Sequence, residues 1–177
     1  MSHTTKIVTA AALALLGCAH EHMTAQQPEQ AAVGEARVTS SAVENRPSAM
    51  QGIHPSADII AACKIHFDNE KAAPEFCFDQ STLTPPDRDV LGQIATCLTK
   101  GPLAGRDVEL IGRADPRGEV EYNMTLGSAR AGSVASYLES LGVGSSQITQ
   151  TSRGKLDATG TDEATWQLDR RVDVLLK

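Results

Sequence analysis

The apolar positions of this chain change period along its length, and each change marks an element. Ile7 to Leu16 is an apolar run broken only by Thr9. From Ala19 to about Gly52 no period is visible, and Gln, Glu, Ala, Ser, Thr and scattered Pro dominate. Periodicity returns beyond Pro55. Ser56 is placed to cap a short helix through Ala62. Cys63, Ile65 and Phe67 alternate, which permits a short strand, and Phe76 and Phe78 predict a strand over Glu75–Asp79. Thr84-Pro85-Pro86-Asp87 is a helix start, with a capping Thr and Pro at the first helical position. Val90, Leu91, Ile94, Cys97 and Leu98 then form one stripe until Gly101-Pro102 stops the helix. Val108–Arg113 reads as an apolar strand. Leu126, Val134, Tyr137, Leu138 and Leu141 recur at helical spacing before Gly142, a stop signal. Gln147–Arg153 reads as a strand of mostly Thr, Gln and Ser. Thr161–Leu168 reads as a short helix capped by Thr161, and Val172, Val174 and Leu176 alternate in a last strand, Arg171–Leu176. The order β-α-β-α-β-(α)-β predicts an α/β sandwich with two main helices on one face of a small sheet.

The same pattern divides the chain into three segments. Lys6 and the run after it read as a signal peptide over residues 1–17, because ten residues are too few to span a bilayer. The run ends in Leu15-Leu16-Gly17-Cys18, which resembles the bacterial lipobox, in which the Cys becomes the lipidated first residue. A chance Cys after an ordinary secretory signal is the alternative. The small Gly17 and the place of Cys18 at the end of the run favour lipidation. Ala19 follows where an inner-membrane retention signal would have Asp, so the resemblance implies outer-membrane delivery on the periplasmic face. Residues 18–54 read as a linker that cannot bury enough surface to fold. It would span roughly 120 Å extended and about 30–35 Å as a flexible coil. His20 and His22 lie in it; an isolated i, i+2 pair is weak evidence for a metal and reads as part of a solvated tail. Residues 55–177 are left as the folded domain.

Composition narrows the function classes. A net charge of −6 argues against a general nucleic-acid binder, which would show a basic field. Only 3% of residues are aromatic, so platforms for stacking bases or sugars are scarce. No metal or cofactor motif is legible, and there is no G-x-S-x-G, H-E-x-x-H or Walker loop.

Two charges in the central strand–helix unit carry the candidate chemistry. Asp115 follows the strand at its carboxyl end, where open α/β sheets bind ligands. Arg130 falls on the apolar stripe of the helix, four residues from both Leu126 and Val134. Its head must either snorkel to water or be paired. In the second case Asp115 and Arg130 line one cleft and hold a ligand that carries both an amine and a carboxylate.

Gly112-Arg113-Ala114-Asp115-Pro116-Arg117-Gly118 and Tyr122-Asn123-Met124-Thr125-Leu126-Gly127-Ser128-Ala129-Arg130-Ala131 closely resemble the OmpA-like peptidoglycan-binding domain family, nearest its lipoprotein members. Phe78-Asp79-Gln80-Ser81, Gly160-Thr161-Asp162-Glu163-Ala164 and Asp169-Arg170-Arg171-Val172 extend the resemblance from about Glu75 to the end; Asp169 stands where the family has Asn. The resemblance implies a mixed four-stranded sheet and a non-enzymatic outer-membrane lipoprotein. Such a protein binds diaminopimelate in the peptidoglycan stem peptide and tethers the outer membrane to the wall. It implies ligand roles for Asp115 and Arg130, and lesser contacts from Asp79, Asn123, Leu126 and Arg171. Helix N-terminal capping is as good a reading of Asn123, and core packing is the alternative for Leu126. One of the two arginines Arg170 and Arg171 is expected to make structural salt bridges instead. The resemblance also implies periplasmic Tol-type envelope proteins as partners. The alternatives are a purely structural envelope protein and a cell-wall hydrolase, though nothing in the spacing of Asp107 and Asp115 supports paired-carboxylate chemistry. In an oxidising compartment a Cys63–Cys97 disulfide is expected, tying the segment before the domain to its first long helix.

Overall fold

The structure is a computed structural model of the chain, described for residues 52–67 and 76–177. The signal peptide, Cys18, the His20–His22 pair and nearly all of the linker lie outside those residues. The described chain forms β1 (Ile53–Pro55), α1 (Ala57–Cys63), α2 (Pro85–Lys100), β2 (Val108–Arg113), α3 (Val120–Ser140), β3 (Ile148–Gly154), α4 (Glu163–Asp169) and β4 (Val172–Leu176). The strands form one mixed sheet in the order β1-β4-β2-β3, in which β1 runs parallel to β4, β4 antiparallel to β2, and β2 parallel to β3.

Period-two alternation sets the faces of the sheet. Val108, Leu110, Val172, Val174 and Ile53 are buried among Leu91, Ile94, Leu98, Val134 and Leu138 of α2 and α3. Glu109, Ile111, Arg113 and Asp173, the alternate residues, are half-buried. Charges alternate along that second set: Arg171 pairs with Asp173 (2.9 Å), Asp173 with Arg113 (2.5 Å), and Asp157 with both Arg113 and Arg153.

The helix starts follow their capping chemistry. Thr84 Oγ1 accepts from the Asp87 amide, and Asp87 Oδ2 accepts from the Thr84 amide (2.8 Å), with Pro85 next in line. At α4 the cap is Asp162, one residue later than the expected Thr161, because its carboxylate accepts from the Thr165 amide (2.9 Å). Ser56 stands at the start of α1, but its hydroxyl makes no capping bond. Cys63 and Cys97 are joined by a disulfide with Cα atoms 5.5 Å apart, which fastens α1 to α2.

Two expected strands are absent. Cys63 ends α1, and Lys64 after it turns left-handed (φ 51°), so residues 63–67 do not extend into the sheet. The described part of Glu75–Asp79 is a turn, closed by the Gln80 amide on the Cys77 carbonyl (3.0 Å) and by Asp79 at φ 60°. Its carbonyls are bonded to arginine side chains instead of a neighbouring strand: Phe76 O accepts from Arg170, and Cys77 O and Gln80 O from Arg130. The sheet takes its fourth strand from Ile53–Pro55, of which Ile53 and His54 were expected to be linker. The Val172 amide donates to Gly52 O (2.7 Å) and the Ser56 amide to Val174 O (2.8 Å), which secures β1 at both ends.

Candidate ligand site

The site forms where β2 ends. The Ala114 amide still donates to Gly154 O of β3 (2.9 Å), and the chain then leaves the sheet at Asp115. Asp115 Oδ1 accepts from the Arg117 amide (3.2 Å), a side-chain turn of the kind Asp favours, and Gly118 at φ 79° lets the chain enter α3. Asn123 is buried one turn into α3. Its amide group donates to Arg117 O (2.7 Å) and Glu119 O (2.9 Å), which locks the turn to the helix. It therefore braces the helix start by donating to carbonyls instead of capping amides.

Two guanidiniums bond the Asp115 carboxylate. Arg117 Nε and Nη2 donate to its two oxygens (3.1 and 2.8 Å) in a fork, and Arg170 Nη1 donates to Oδ2 (3.3 Å). Asp115 is only 4% exposed. Burial alone would raise its carboxyl, but the bonds from Arg117 and Arg170 outweigh it and hold it below the ordinary carboxylate range. Arg170 is fixed by two further bonds, to Phe76 O (2.8 Å) and Glu163 Oε1 (2.9 Å).

Arg130 does not snorkel. It is fully buried, and its guanidinium donates to Gln80 O (2.8 Å), Arg113 O (2.7 Å) and Cys77 O (3.3 Å), with the Phe76 ring 5.2 Å away. One cation thus ties α3, the end of β2 and the 76–80 turn together. Burial and the neighbouring Arg170 push its pKa down to about 10, opposed by Asp115 and Asp79, so it remains a cation at neutral pH. Asp115 and Arg130 belong to one charged cluster, each held mainly by other partners.

The remaining expected contacts divide between this cluster and its surroundings. Asp79 is exposed and accepts a hydrogen bond from the Tyr122 hydroxyl, which pushes the Tyr122 phenol up. Leu126 is half-buried. Arg171 takes the structural role: its guanidinium bonds Asp173 (2.9 Å) and Leu168 O (2.7 Å), while its neighbour Arg170 turns to Asp115. Asp169, in the place of the family Asn, is buried and accepts from the Thr159 amide (3.2 Å) and the Gly160 amide (2.9 Å). Both carboxylate oxygens are used there, and an Asn has only one acceptor oxygen.

Sequence reasoning missed Arg117, Phe78, Trp166 and Glu163. Arg117 Cζ lies over the Phe78 ring (4.1 Å to the centroid) and over the Trp166 ring (4.2 Å), and its Nη1 is 3.5 Å from Glu163 Oε2. A signal was available: Phe78, Arg117 and Glu163 stand in three of the motifs quoted above, and the single Trp of a chain with few aromatics follows the last of these three.

Known proteins resemble this chain in sequence and fold. The OmpA family matches residues 75–172, more than half of the chain. A peptidoglycan-associated lipoprotein from Pseudomonas aeruginosa is 43% identical over 101 residues, covering 56% of this chain and 58% of that one. Outer membrane protein A from Bordetella avium is 34% identical over 101 residues, covering 56% and 51%. The chain spans little more than half the length of these curated relatives. Among solved structures, the peptidoglycan-associated lipoprotein from Burkholderia pseudomallei superposes with a TM-score of 0.54 at 35% identity, over 62% of this chain and 98% of that one. An OmpA-like domain from Francisella tularensis, 24% identical with a TM-score of 0.50 over 58% of this chain and 70% of that one, shares the fold. By the motif around Asp115 and Arg130, the mixed sheet that carries it and the span of the match, the chain belongs to the OmpA family.

Proposed function

We propose that the protein binds peptidoglycan through the uncrosslinked, zwitterionic end of a diaminopimelate-containing stem peptide. In this reading Asp115 takes the ligand ammonium and Arg130 its carboxylate. What supports it is that Arg130 bonds the Arg113 carbonyl at the carboxyl end of β2 (2.7 Å), two residues before Asp115, where a sheet of this kind receives ligands. Asp is an acceptor-only partner for an amine, and Arg offers a planar fork of donors to a carboxylate. The lipoprotein names and peptidoglycan association of the relatives support the same chemistry. The family match supports a binding module, and Asp115, held ionised by Arg117 and Arg170, is not set up as a proton donor.

The second half of the proposal is the tether. Cys18, lipidated and inserted in the outer membrane, would hold the domain near the wall through the linker. A single acyl chain gives only marginal membrane binding, so several chains on one residue are needed for a firm anchor.

Purified domain incubated with isolated peptidoglycan is expected to sediment with it, and calorimetry with diaminopimelate and muropeptides to show saturable binding. Asp115→Ala should weaken binding tenfold or more, since a charge-assisted hydrogen bond contributes about 1.5–3 kcal/mol. A domain that stays in the supernatant refutes the binding reading. An unmodified Cys18 in the mature membrane-bound protein, seen by mass spectrometry, refutes the tether.

A further inference from the structure

Arg117 occupies an enclosure built for a cation. Two ring faces, Phe78 and Trp166, stand 4.1 and 4.2 Å from its guanidinium carbon. Two carboxylates complete the enclosure, Asp115 at 2.8 Å and Glu163 at 3.5 Å. Aromatic faces and carboxylates attract the same kind of guest, a positive charge on an organic stem.

We propose that Phe78, Trp166, Asp115 and Glu163 form a cation cage that Arg117 fills in the free protein and gives up to the ammonium group of the ligand. The inference rests on the wall-binding reading above and adds a built-in competitor for its amine subsite. Of the three guanidiniums near Asp115, only Arg117 is free to leave. Its side chain is 32% exposed, against 4% for Arg170, while Arg130 is fully buried. Arg130 and Arg170 are tied to backbone carbonyls; among the described residues, the guanidinium of Arg117 hydrogen-bonds and pairs with side chains alone.

The backbone does not have to move. The Arg117 amide stays on Asp115 Oδ1 and its carbonyl stays on Asn123 Nδ2 (2.7 Å), so rotation of side-chain torsions empties the cage. Phe78, 57% exposed, leaves one wall open to solvent. Departure of Arg117 without replacement strands the Asp115 and Glu163 charges against Arg170 alone, so the cage exchanges one cation for another and rejects a neutral guest. Selectivity for an uncrosslinked stem peptide follows, because crosslinking or acylation removes the positive charge.

Trp166 is the only tryptophan, so its fluorescence reports the cage directly. The experiment titrates the protein with n-butylammonium chloride against matched potassium chloride, and with diaminopimelate against its N-acetylated form. Arg117→Gln and Arg117→Lys are treated alike, with circular dichroism as the check on folding. The expected result is a Trp166 response to the free amines and none to the acetylated form. Arg117→Gln should respond at a concentration about threefold lower or less, since removing a competitor raises apparent affinity. Arg117→Lys should fall between the two, because a point charge stacks poorly. Equal or weaker amine binding by folded Arg117→Gln overturns the cage, as does a silent Trp166 in protein that still sediments with peptidoglycan. Protein that fails to sediment but shows the tighter butylammonium response in Arg117→Gln retains the cage and loses the wall-binding reading.

Discussion

Gly112 of β2 and Gly127 of α3 meet backbone against backbone: a Cβ on Gly112 would lie 1.8 Å from the Gly127 carbonyl oxygen. That approach brings α3 close enough to the sheet for Arg130, one turn further on, to reach the Arg113 carbonyl. A Cβ on Gly127 would meet Ser152 Oγ at 2.4 Å and Gly112 O at 2.8 Å. Gly127→Ala is therefore expected to destabilise by about 1–3 kcal/mol despite the better helix propensity of Ala. Gly132 on the same helix has its nearest neighbour at 3.7 Å, so Gly132→Ala should stabilise by up to about 1 kcal/mol. A urea midpoint for Gly127→Ala equal to or above that of the parent would contradict the close approach.

Arg130 is expected to matter to folding as well as to binding. Arg130→Ala strands the carbonyls of Gln80, Arg113 and Cys77 and opens a cavity beneath Phe76. A loss of about 3 kcal/mol or more follows, and Arg130→Lys should recover only part of it. Thermal melts of both variants, read beside wall binding, separate the two roles: a melt unchanged by Arg130→Ala would show that the buried network contributes nothing.

Asp115 and Asp87 should shape the pH dependence of stability in opposite directions. The folded Asp115 carboxyl lies below its ordinary 3.8, so its stabilisation is complete above pH 3.8 and is lost as pH falls through the lower folded value. Asp115→Asn should therefore be less stable than the parent at pH 7, with the gap narrowing in acid.

Asp87 is buried at the start of α2, and one of its oxygens has no partner among the described residues. Burial pushes its carboxyl above 3.8, against the opposing bonds from Thr84. Its stabilisation is complete below pH 3.8 and is lost as pH rises through the raised value. Asp87→Asn should raise the Tm at pH 7 and leave it unchanged near pH 3. A Tm lowered at pH 7 and unchanged near pH 3 would mean that the capping box needs the charge.

The Cys63–Cys97 bond closes a loop of 34 residues. Chain entropy puts its contribution at roughly 4 kcal/mol as an upper guide. Reduction should lower the Tm and broaden access to α1 in hydrogen exchange, while the centre of α3 stays protected. Equal melts of oxidised and reduced protein would refute that contribution.

Local signals sufficed for much of this protein. Helix α2 was legible because its cap and stripe are local: Thr84 and Asp87 satisfy each other three residues apart, and Leu91, Ile94 and Leu98 recur with the turn of a helix. Strands β2 and β4 were legible because one face of each is buried and the other is not. The motif around Asp115 and Arg130 was legible because several unlike residues recur in a fixed order. Tertiary structure decided the rest. Phe76 and Phe78 have the alternation of a strand, yet their segment turns, because Arg130 and Arg170, distant in sequence, donate to its carbonyls. Ile53–Pro55 is too short to show a period, and it becomes a strand only because β4 offers it an edge. Arg170 and Arg171 are chemically identical neighbours; only the backbone direction where α4 meets β4 sends one to Asp115 and the other to Asp173. The three-dimensional arrangement likewise made Arg117, unremarkable in its turn, the cation that fills the site, since the two rings and two carboxylates around it come from three separate parts of the chain, the 76–80 turn, the end of β2 and α4.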